Sequence, residues 1–170
     1  MWIHNFRRIF GDELTGTKVE MKSIVIIGAT SQVAQEISKI HAAAHDKIFL
    51  IGRNSERLQQ IASDVEVRGA VECKVFTQDL VELEAHTAML DEVYAWSKPD
   101  IVYIAHGVLP DQKEAESSYQ KMKQSLDINA LSVISILTDL ANRMEADKRG
   151  HIVVISSVAG DRGRKSNYVY

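Results

Sequence analysis

The stretch KSIVIIGATSQVA, residues 22–34, decides the fold of this chain. Its four consecutive apolar residues, 24–27, are typical of a β-strand that is covered on both faces. A glycine turn follows at once and leads into apolar residues at helical spacing. A strand, a tight turn and a helix in this order point free backbone N–H groups and the positive helix end at a phosphate. The stretch therefore predicts a parallel α/β fold with an anion-binding first turn.

Within this turn, each residue type has a use in holding a pyrophosphate. Gly28 supplies the tight turn, and Thr30 and Ser31 can cap the helix or bond phosphate oxygens. We include the next two residues, Gln32 and Val33, among the candidate cofactor-binding residues. The strict G-x-G-x-x-G pattern is absent, so an ordinary strand-to-helix turn capped by a serine remains an equal alternative at this point.

Downstream of the turn, apolar runs and helical patterns alternate. Further strands are predicted at residues 47–51, 71–76, 101–104 and 151–155, with helices between them. The last helix is long, and one face of it is predicted to carry Met122, Leu126, Asn129, Val133, Leu137, Leu140 and Met144. Strands separated by helices of this length predict right-handed βαβ crossovers and a doubly wound parallel sheet.

Composition limits the class of protein. The 170 residues carry 20 Lys and Arg against 23 Asp and Glu, so binding of nucleic acid by bulk positive charge is excluded. The apolar runs are too short for a membrane span. Cys73 is the lone cysteine, which favours a reducing cytoplasm, and no histidine spacing predicts a metal site. We expect residues 1–20 to be an N-terminal extension, since no signal-peptide cleavage site follows them, and residues 21–170 to form one domain.

Polar residues follow several predicted strands, at the edge where open α/β sheets bind ligands. Arg53 comes just after the second strand and can hold a 2′-phosphate, which favours NADP(H) over NAD(H). A solvated surface arginine is the plainer interpretation. His106 is a candidate base, although packing or cofactor contact is commoner for such a residue. Asn129 must find hydrogen-bond partners on an apolar helix face, either as a structural link or in a polar site.

The end of the chain supplies the most specific pattern. Ser157 follows the fifth strand, a glycine-containing loop comes next, and Tyr170 lies thirteen residues after the serine. This arrangement over residues 21–170 resembles the short-chain dehydrogenase/reductase family. The turn at 28–34 resembles the family's T-G-x-x-x-G-x-G motif, with Gln32 and Ala34 in place of two glycines. Further matches are Asp79 and Leu80 at the adenine contact, Ala105, His106 and Gly107 at the N-A-G motif, and Asn129, Ser157 and Tyr170 in the catalytic tetrad.

The resemblance implies a Rossmann-type fold with strand order 3-2-1-4-5 and an NADP(H)-dependent oxidoreductase that interconverts an alcohol and a ketone. It implies that Tyr170 is the general acid and base, that Ser157 polarises the carbonyl, and that Asn129 holds a water. A small-molecule substrate and a homodimer or homotetramer are expected. The loop after Ser157 is similar to the bacterial branch near the decaprenyl-phosphoryl-ribose 2-epimerase reductase subunit, which points to a keto sugar.

One departure from the family pattern leaves other functions open. The family places a lysine four residues after its tyrosine, and this sequence ends at Tyr170. We therefore expect a C-terminally incomplete domain with little activity of its own. A non-catalytic dinucleotide-binding module and a nucleotide-sugar epimerase or dehydratase are the alternatives.

Overall fold

The computed structural model describes residues 20–166. A five-stranded parallel sheet forms its centre, in the order β3-β2-β1-β4-β5. The predicted fold class and strand order are thus confirmed. The strands are β1 (Ser23–Ile27), β2 (Lys47–Gly52), β3 (Glu72–Thr77), β4 (Ile101–Ile104) and β5 (His151–Val154). The proposed extension, apart from Glu20, lies outside the described residues, as does Tyr170.

Helices cover both faces of this sheet. They are α1 (Gln32–Ala43), α2 (Ser55–Val67), α3 (His86–Trp96), α4 (Gln112–Ser117), α5 (Tyr119–Leu126) and α6 (Ser132–Asp147), and a π-helical turn, Asp127–Leu131, joins α5 to α6. Side chains of β1 alternate between two cores. Ile24 and Ile26 pack with α1 and α2, whereas Val25 and Ile27 pack with α3 and α6. This two-sided burial explains the continuous apolar run of residues 24–27.

Side-chain caps start the first two helices at the carboxyl ends of their strands. Ser31 accepts a hydrogen bond from the Ala34 N–H at 3.2 Å, and Asn54 accepts one from the Arg57 N–H at 2.9 Å. Each cap satisfies one of the backbone donors that a helix start leaves free. Both helices therefore begin directly beyond the strand ends.

The apolar pattern predicts the buried faces of α1 and of the long helix in part, since Leu140 and Met144 are buried and Val133 and Leu137 pack against the core as expected. Val33 and Ile40 are 51% and 45% exposed, and α1 buries Ala34, Ser38, His41 and Ala42 instead. The buried stripe of α5 and α6 runs through Ser125, Ser132, Ile136, Leu140 and Met144, while Leu126 is exposed. Counting apolar residues alone missed these buried polar side chains, each of which finds a hydrogen-bond partner.

At the amino ends of the strands, aspartate side chains join β1 to its neighbours. The Lys22 and Ser23 N–H groups donate to Asp46 Oδ1 at 2.8 Å and Asp100 Oδ2 at 2.9 Å. His41 lies between Asp46 and Tyr103, with its Nδ1 2.7 Å from Asp46 Oδ2 and its Nε2 3.0 Å from the tyrosine hydroxyl. We call the buried group of His41, Asp46 and Tyr103 the amino-edge joint. It lies at the amino ends of the strands, at the opposite end of the sheet from their carboxyl ends.

Within residues 20–166, no helix combines the length and the apolar character that crossing a membrane requires.

Candidate functional site

A cleft opens at the carboxyl ends of β1, β2, β3 and β4, and we call it the first cleft. Nine of the predicted cofactor-binding residues line it: Gly28, Thr30, Ser31, Arg53, Asp79, Leu80, Ala105, His106 and Gly107. These residues come from four separate turns, which the parallel sheet brings to one edge. Gln32 and Val33 are not among the lining residues, since both are exposed in the first turn of α1.

Gly28 is required where β1 approaches the end of β4. Its φ is +83°, and a Cβ atom at this position would lie 2.4 Å from the backbone nitrogen of His106. Any side chain would therefore both strain the backbone and force the two turns apart. This tight turn leads directly into α1, and the backbone N–H groups at such a helix start can bind an anionic group.

A side chain near the start of α1 also fixes the backbone of the glycine turn. Gln35 donates from Nε2 to the Thr30 carbonyl at 2.9 Å and accepts from Arg57 at 3.1 Å. Arg57 in turn donates to Gln60 at 2.9 Å. This surface network ties α2 to the turn that lines the first cleft.

On the far side of the first cleft, Arg53 and Asp79 follow β2 and β3. Arg53 is exposed, and no other residue of 20–166 pairs with its guanidinium. Asp79 is half-buried, and its Oδ1 accepts from the Val81 N–H at 3.3 Å. The Gln78 N–H donates to the Gly52 carbonyl at 2.9 Å and so fixes the two strand ends together.

Five lining residues of the first cleft were absent from the sequence-based site: Gly52, Gln78, Val81, Val108 and Ile128. Gly52, Gln78, Val81 and Val108 adjoin predicted site residues, so a wider window around each strand end would have found them. Ile128 belongs to the π turn, and the sequence carries no signal for that turn.

A second cleft adjoins the first and contains Asn129 and Ser157. It is lined by Ile104, His106, Gly107, Asn129, Val133, Val154, Ile155, Ser156, Ser157, Ala159 and Gly160. The Ser157 hydroxyl oxygen accepts from the Ala159 N–H at 3.1 Å, which leaves the hydroxyl proton available to an acceptor. His106 and Gly107 line both clefts and therefore form the wall between them.

Asn129 clamps the loop that follows β4. Its Oδ1 accepts from the Val108 N–H at 2.8 Å, and its Nδ2 donates to the Val108 carbonyl at 2.8 Å. A Cβ atom on Gly107 would lie 3.3 Å from the same Oδ1, so the close approach favours a glycine there. Of the two roles that the sequence leaves open for Asn129, the structure shows the structural link, placed at the border of the second cleft.

His106 is a neutral imidazole at this wall. Burial, and to a smaller extent the nearby His86, lower the pKa of His106 to about 4. Its Nε2 lies 2.8 Å from Ser132 Oγ, and its buried Nδ1 has no hydrogen-bond partner among the described residues. An imidazole with so low a pKa is neutral at pH 7, so only one of its two ring nitrogens carries a proton.

The model for the short chain dehydrogenase family matches residues 22–170 of this sequence. The chain belongs to the short-chain dehydrogenase family. Its first cleft lies where this family's dinucleotide site is expected, and its second cleft contains the serine and asparagine assigned by resemblance. The relatives and structures described next do not confirm the more specific likeness to the decaprenyl-phosphoryl-ribose 2-epimerase reductase branch.

Curated relatives of this short-chain dehydrogenase chain are longer than it is. An uncharacterized oxidoreductase of Mycobacterium tuberculosis is 33% identical over 148 residues, which is 86% of this chain and 59% of that protein. Dehydrogenase/reductase SDR family member 7B of Xenopus laevis is 26% identical over 152 residues, covering 86% of this chain and 47% of that protein. The chain thus spans about three fifths or less of these relatives.

Solved structures of the short-chain dehydrogenase fold superpose closely. Levodione reductase matches with a TM-score of 0.81 and 21% identity, over 87% of this chain and 59% of that one. An actinorhodin polyketide ketoreductase with NADPH has a TM-score of 0.80 and 20% identity, over 90% and 59%. The NAD⁺-bound xylitol dehydrogenase has a TM-score of 0.80 and 22% identity, over 91% and 60%. At these identities the likeness shows a common fold.

Metal binding has no visible support in the described part of the chain. Within residues 20–166, no three His, Cys, Asp or Glu side chains lie close enough together to hold an ion.

Proposed function

We propose that this protein is an NADP(H)-dependent oxidoreductase that interconverts an alcohol and a ketone. One observation carries the proposal: the first and second clefts share a wall made of His106 and Gly107. A dinucleotide in the first cleft would therefore adjoin a substrate in the second. A module that only binds a dinucleotide has no need of a second cleft containing Ser157 and Asn129.

The residues of the first cleft fit a dinucleotide. The tight turn at Gly28 and the α1 start capped by Ser31 suit a pyrophosphate, because the backbone N–H groups and the helix dipole both favour an anion. Asp79 and Leu80 would hold the adenine end, as the family resemblance implies. When bound, the nicotinamide supplies or accepts the hydride.

Three side chains of this chain would then manage the substrate oxygen. Ser157 would donate its free hydroxyl proton to that oxygen and polarise the carbonyl. Tyr170, which lies outside the described residues, would transfer the proton as general acid or base. Asn129 would fix the border of the cleft through its two hydrogen bonds to Val108. As the family resemblance implies, it would also hold a water of the proton relay.

The preference for NADP(H) over NAD(H) depends on Arg53. Its exposed guanidinium borders the first cleft just beyond β2, where the ribose of a dinucleotide is expected, and no acid lies at positions 51 or 52. A guanidinium can bond a 2′-phosphate in a charge-assisted, bidentate manner. Structural neighbours of this fold carry NADPH in one case and NAD⁺ in another, so this choice depends on the residues of the chain itself.

For the substrate we propose a small keto compound, with a keto sugar as the class suggested by sequence resemblance. The complete protein is proposed to act as a homodimer or homotetramer. The free thiol of Cys73 agrees with a reducing compartment such as the cytoplasm.

The test is an oxidoreduction assay on the product of the complete gene, with NADPH and a panel of ketoses and simple ketones. Tyr170→Phe and Ser157→Ala should each lower turnover by about 10²–10⁴-fold. Ser166→Ala in the same loop is the control and should retain turnover. Full activity of Tyr170→Phe would reject the assigned chemistry. Tight NADPH binding without turnover of any substrate would favour the non-catalytic alternative.

A further inference from the structure

The π turn between α5 and α6 is held by a side chain as well as by its backbone. The Ser132 N–H donates to the Asp127 carbonyl, five residues back, and thus skips the Ile128 carbonyl that it would use in an α-helix. The Ser132 hydroxyl donates to Ile128 instead, at 2.7 Å. Ser132 is fully buried, so this hydroxyl has no competing water.

His106 fixes the Ser132 hydroxyl from the opposite side. Its Nε2 lies 2.8 Å from Ser132 Oγ. A hydroxyl has one proton, and Ser132 gives that proton to the Ile128 carbonyl, which can only accept. The imidazole must therefore carry its proton on Nε2 and donate it to Ser132. The result is a directed chain from His106 through Ser132 to the backbone of the π turn.

The hydrogen bonds from His106 through Ser132 reach the π turn close to Asn129, which holds Val108. The loop after β4 is joined to the turn twice, by His106 to Ser132 and by Val108 to Asn129. Asn129 lies within the turn, three residues before Ser132. A change in the hydrogen-bond register of the π turn would rotate Asn129 away from Val108, because Asn129 and Ser132 belong to the same helical backbone.

We propose that His106 is a positioning residue which, through Ser132, holds the π turn in the register that lets Asn129 grip Val108 and border the second cleft. Only the assignment of that cleft to a substrate rests on the proposed function. The hydrogen-bonded link from His106 to the π turn does not depend on it. His106 thereby acts on the site through Ser132 and the π turn, and it is not the base itself.

The helix offers a matched control for this link. Ser135 lies one turn further along α6 and makes the same kind of contact, 3.0 Å from Nδ1 of His86. His86 Nε2 donates to the Leu80 carbonyl at 3.0 Å, so the Ser135 hydroxyl donates to Nδ1. Ser135→Ala therefore removes a histidine–serine hydrogen bond from α6 without touching the π turn.

The experiment measures hydrogen exchange and chemical shift of the Asn129 side-chain amide by NMR on the ¹⁵N-labelled protein, without dinucleotide or substrate. His106→Ala and Ser132→Ala should each speed this exchange by roughly five- to tenfold, as loss of one net hydrogen bond implies. The double variant should add no more, since both residues act in one chain. His106→Gln, which keeps a side-chain N–H donor, should restore the wild-type signal.

Several outcomes would overturn the proposal. One is an unchanged Asn129 amide in His106→Ala and Ser132→Ala; another is an equal change in Ser135→Ala. A third is faster exchange of the Ile26 backbone amide in step with Asn129, which would indicate general destabilisation. Because no cofactor or substrate is present, failure of the oxidoreduction assay would leave this result intact, and failure here would leave the proposed function intact.

Discussion

Arg53 is the residue that can separate the two dinucleotides. NADPH carries a 2′-phosphate that NADH lacks, and the Arg53 guanidinium borders the first cleft without a partner among residues 20–166. Arg53→Ala should weaken NADPH binding by about 1.5–3 kcal/mol and leave NADH binding nearly unchanged. Titration by cofactor fluorescence measures both constants. Arg68→Ala is the control, because that guanidinium is bonded to Asp64 at the other end of α2, away from the first cleft. Equal losses for both cofactors would contradict the assignment.

His106 should make the fold sensitive to mild acid. Burial and the nearby His86 lower its folded-state pKa to about 4, whereas an unfolded histidine titrates near 6.5. Between these pH values the unfolded chain binds a proton that the folded chain does not. Stability is therefore full above about pH 6.5 and falls as pH drops toward 4, by about 3 kcal/mol from this group. Burial also lowers the pKa of His86, which adds to the same trend.

Urea unfolding between pH 7 and pH 4.5 tests this prediction. His106→Gln should flatten the pH dependence, since an amide does not titrate in this range. His151→Gln, at an exposed position, should keep the wild-type profile. A His106→Gln profile as steep as that of the wild type would place the acid sensitivity in other groups.

At the scale of the elements, the amino-edge joint holds β1, β2 and β4 together. His41 and Asp46 are both buried, and His41→Ala would leave the Asp46 carboxyl with one backbone donor. We expect a loss of about 3 kcal/mol or more in unfolding free energy. The NADPH dissociation constant should stay unchanged, because the joint lies at the opposite edge of the sheet from the first cleft.

Denaturant unfolding and an NADPH titration on the same His41→Ala preparation separate these two effects. His45→Asn is the comparison variant: His45 is exposed, its φ is +58°, and asparagine tolerates that backbone conformation. It should cost little stability. A His41→Ala protein that remains fully stable, or one that loses dinucleotide affinity in proportion, would show that the joint does not have this separate structural role.

The elements that the sequence predicts well are those whose burial is apolar and two-sided. Residues 24–27 and 101–104 are nearly inaccessible on both faces, so their hydrophobic runs alone identify the strands. The turns after these strands predict most of the first cleft, because parallel strands bring their carboxyl ends together. Buried polar groups escape such reasoning. Ser132 and His41 are buried because each finds a partner distant in sequence, and no spacing rule contains those partners.

On the scale of the whole molecule, the sheet separates rigidity from chemistry. The amino ends of its strands are fastened by buried side chains, and the carboxyl ends carry open turns, two clefts and the π turn. A loop placed on such a rigid scaffold can keep polar groups in position without burying them. The hydrogen bonds between residues 106–108 and the π turn connect this rigid scaffold to the second cleft.

The same sheet leaves β5 as an edge. Within residues 20–166 its only strand neighbour is β4, and Val154 and Ile155 are 40% and 37% exposed. An uncharged, β-branched edge is a template for pairing with another chain. We expect the 170-residue polypeptide to self-associate as its concentration rises, as measured by light scattering. Saturation with NADPH at 100 times its Kd would add about 2.7 kcal/mol of stability but would not cover the edge, so association should persist. Val154→Lys should reduce the scattering, whereas Val67→Lys, at the exposed end of α2, should not. A wild-type chain that stays monomeric at high concentration would mean that this edge is protected in a way the described residues do not provide.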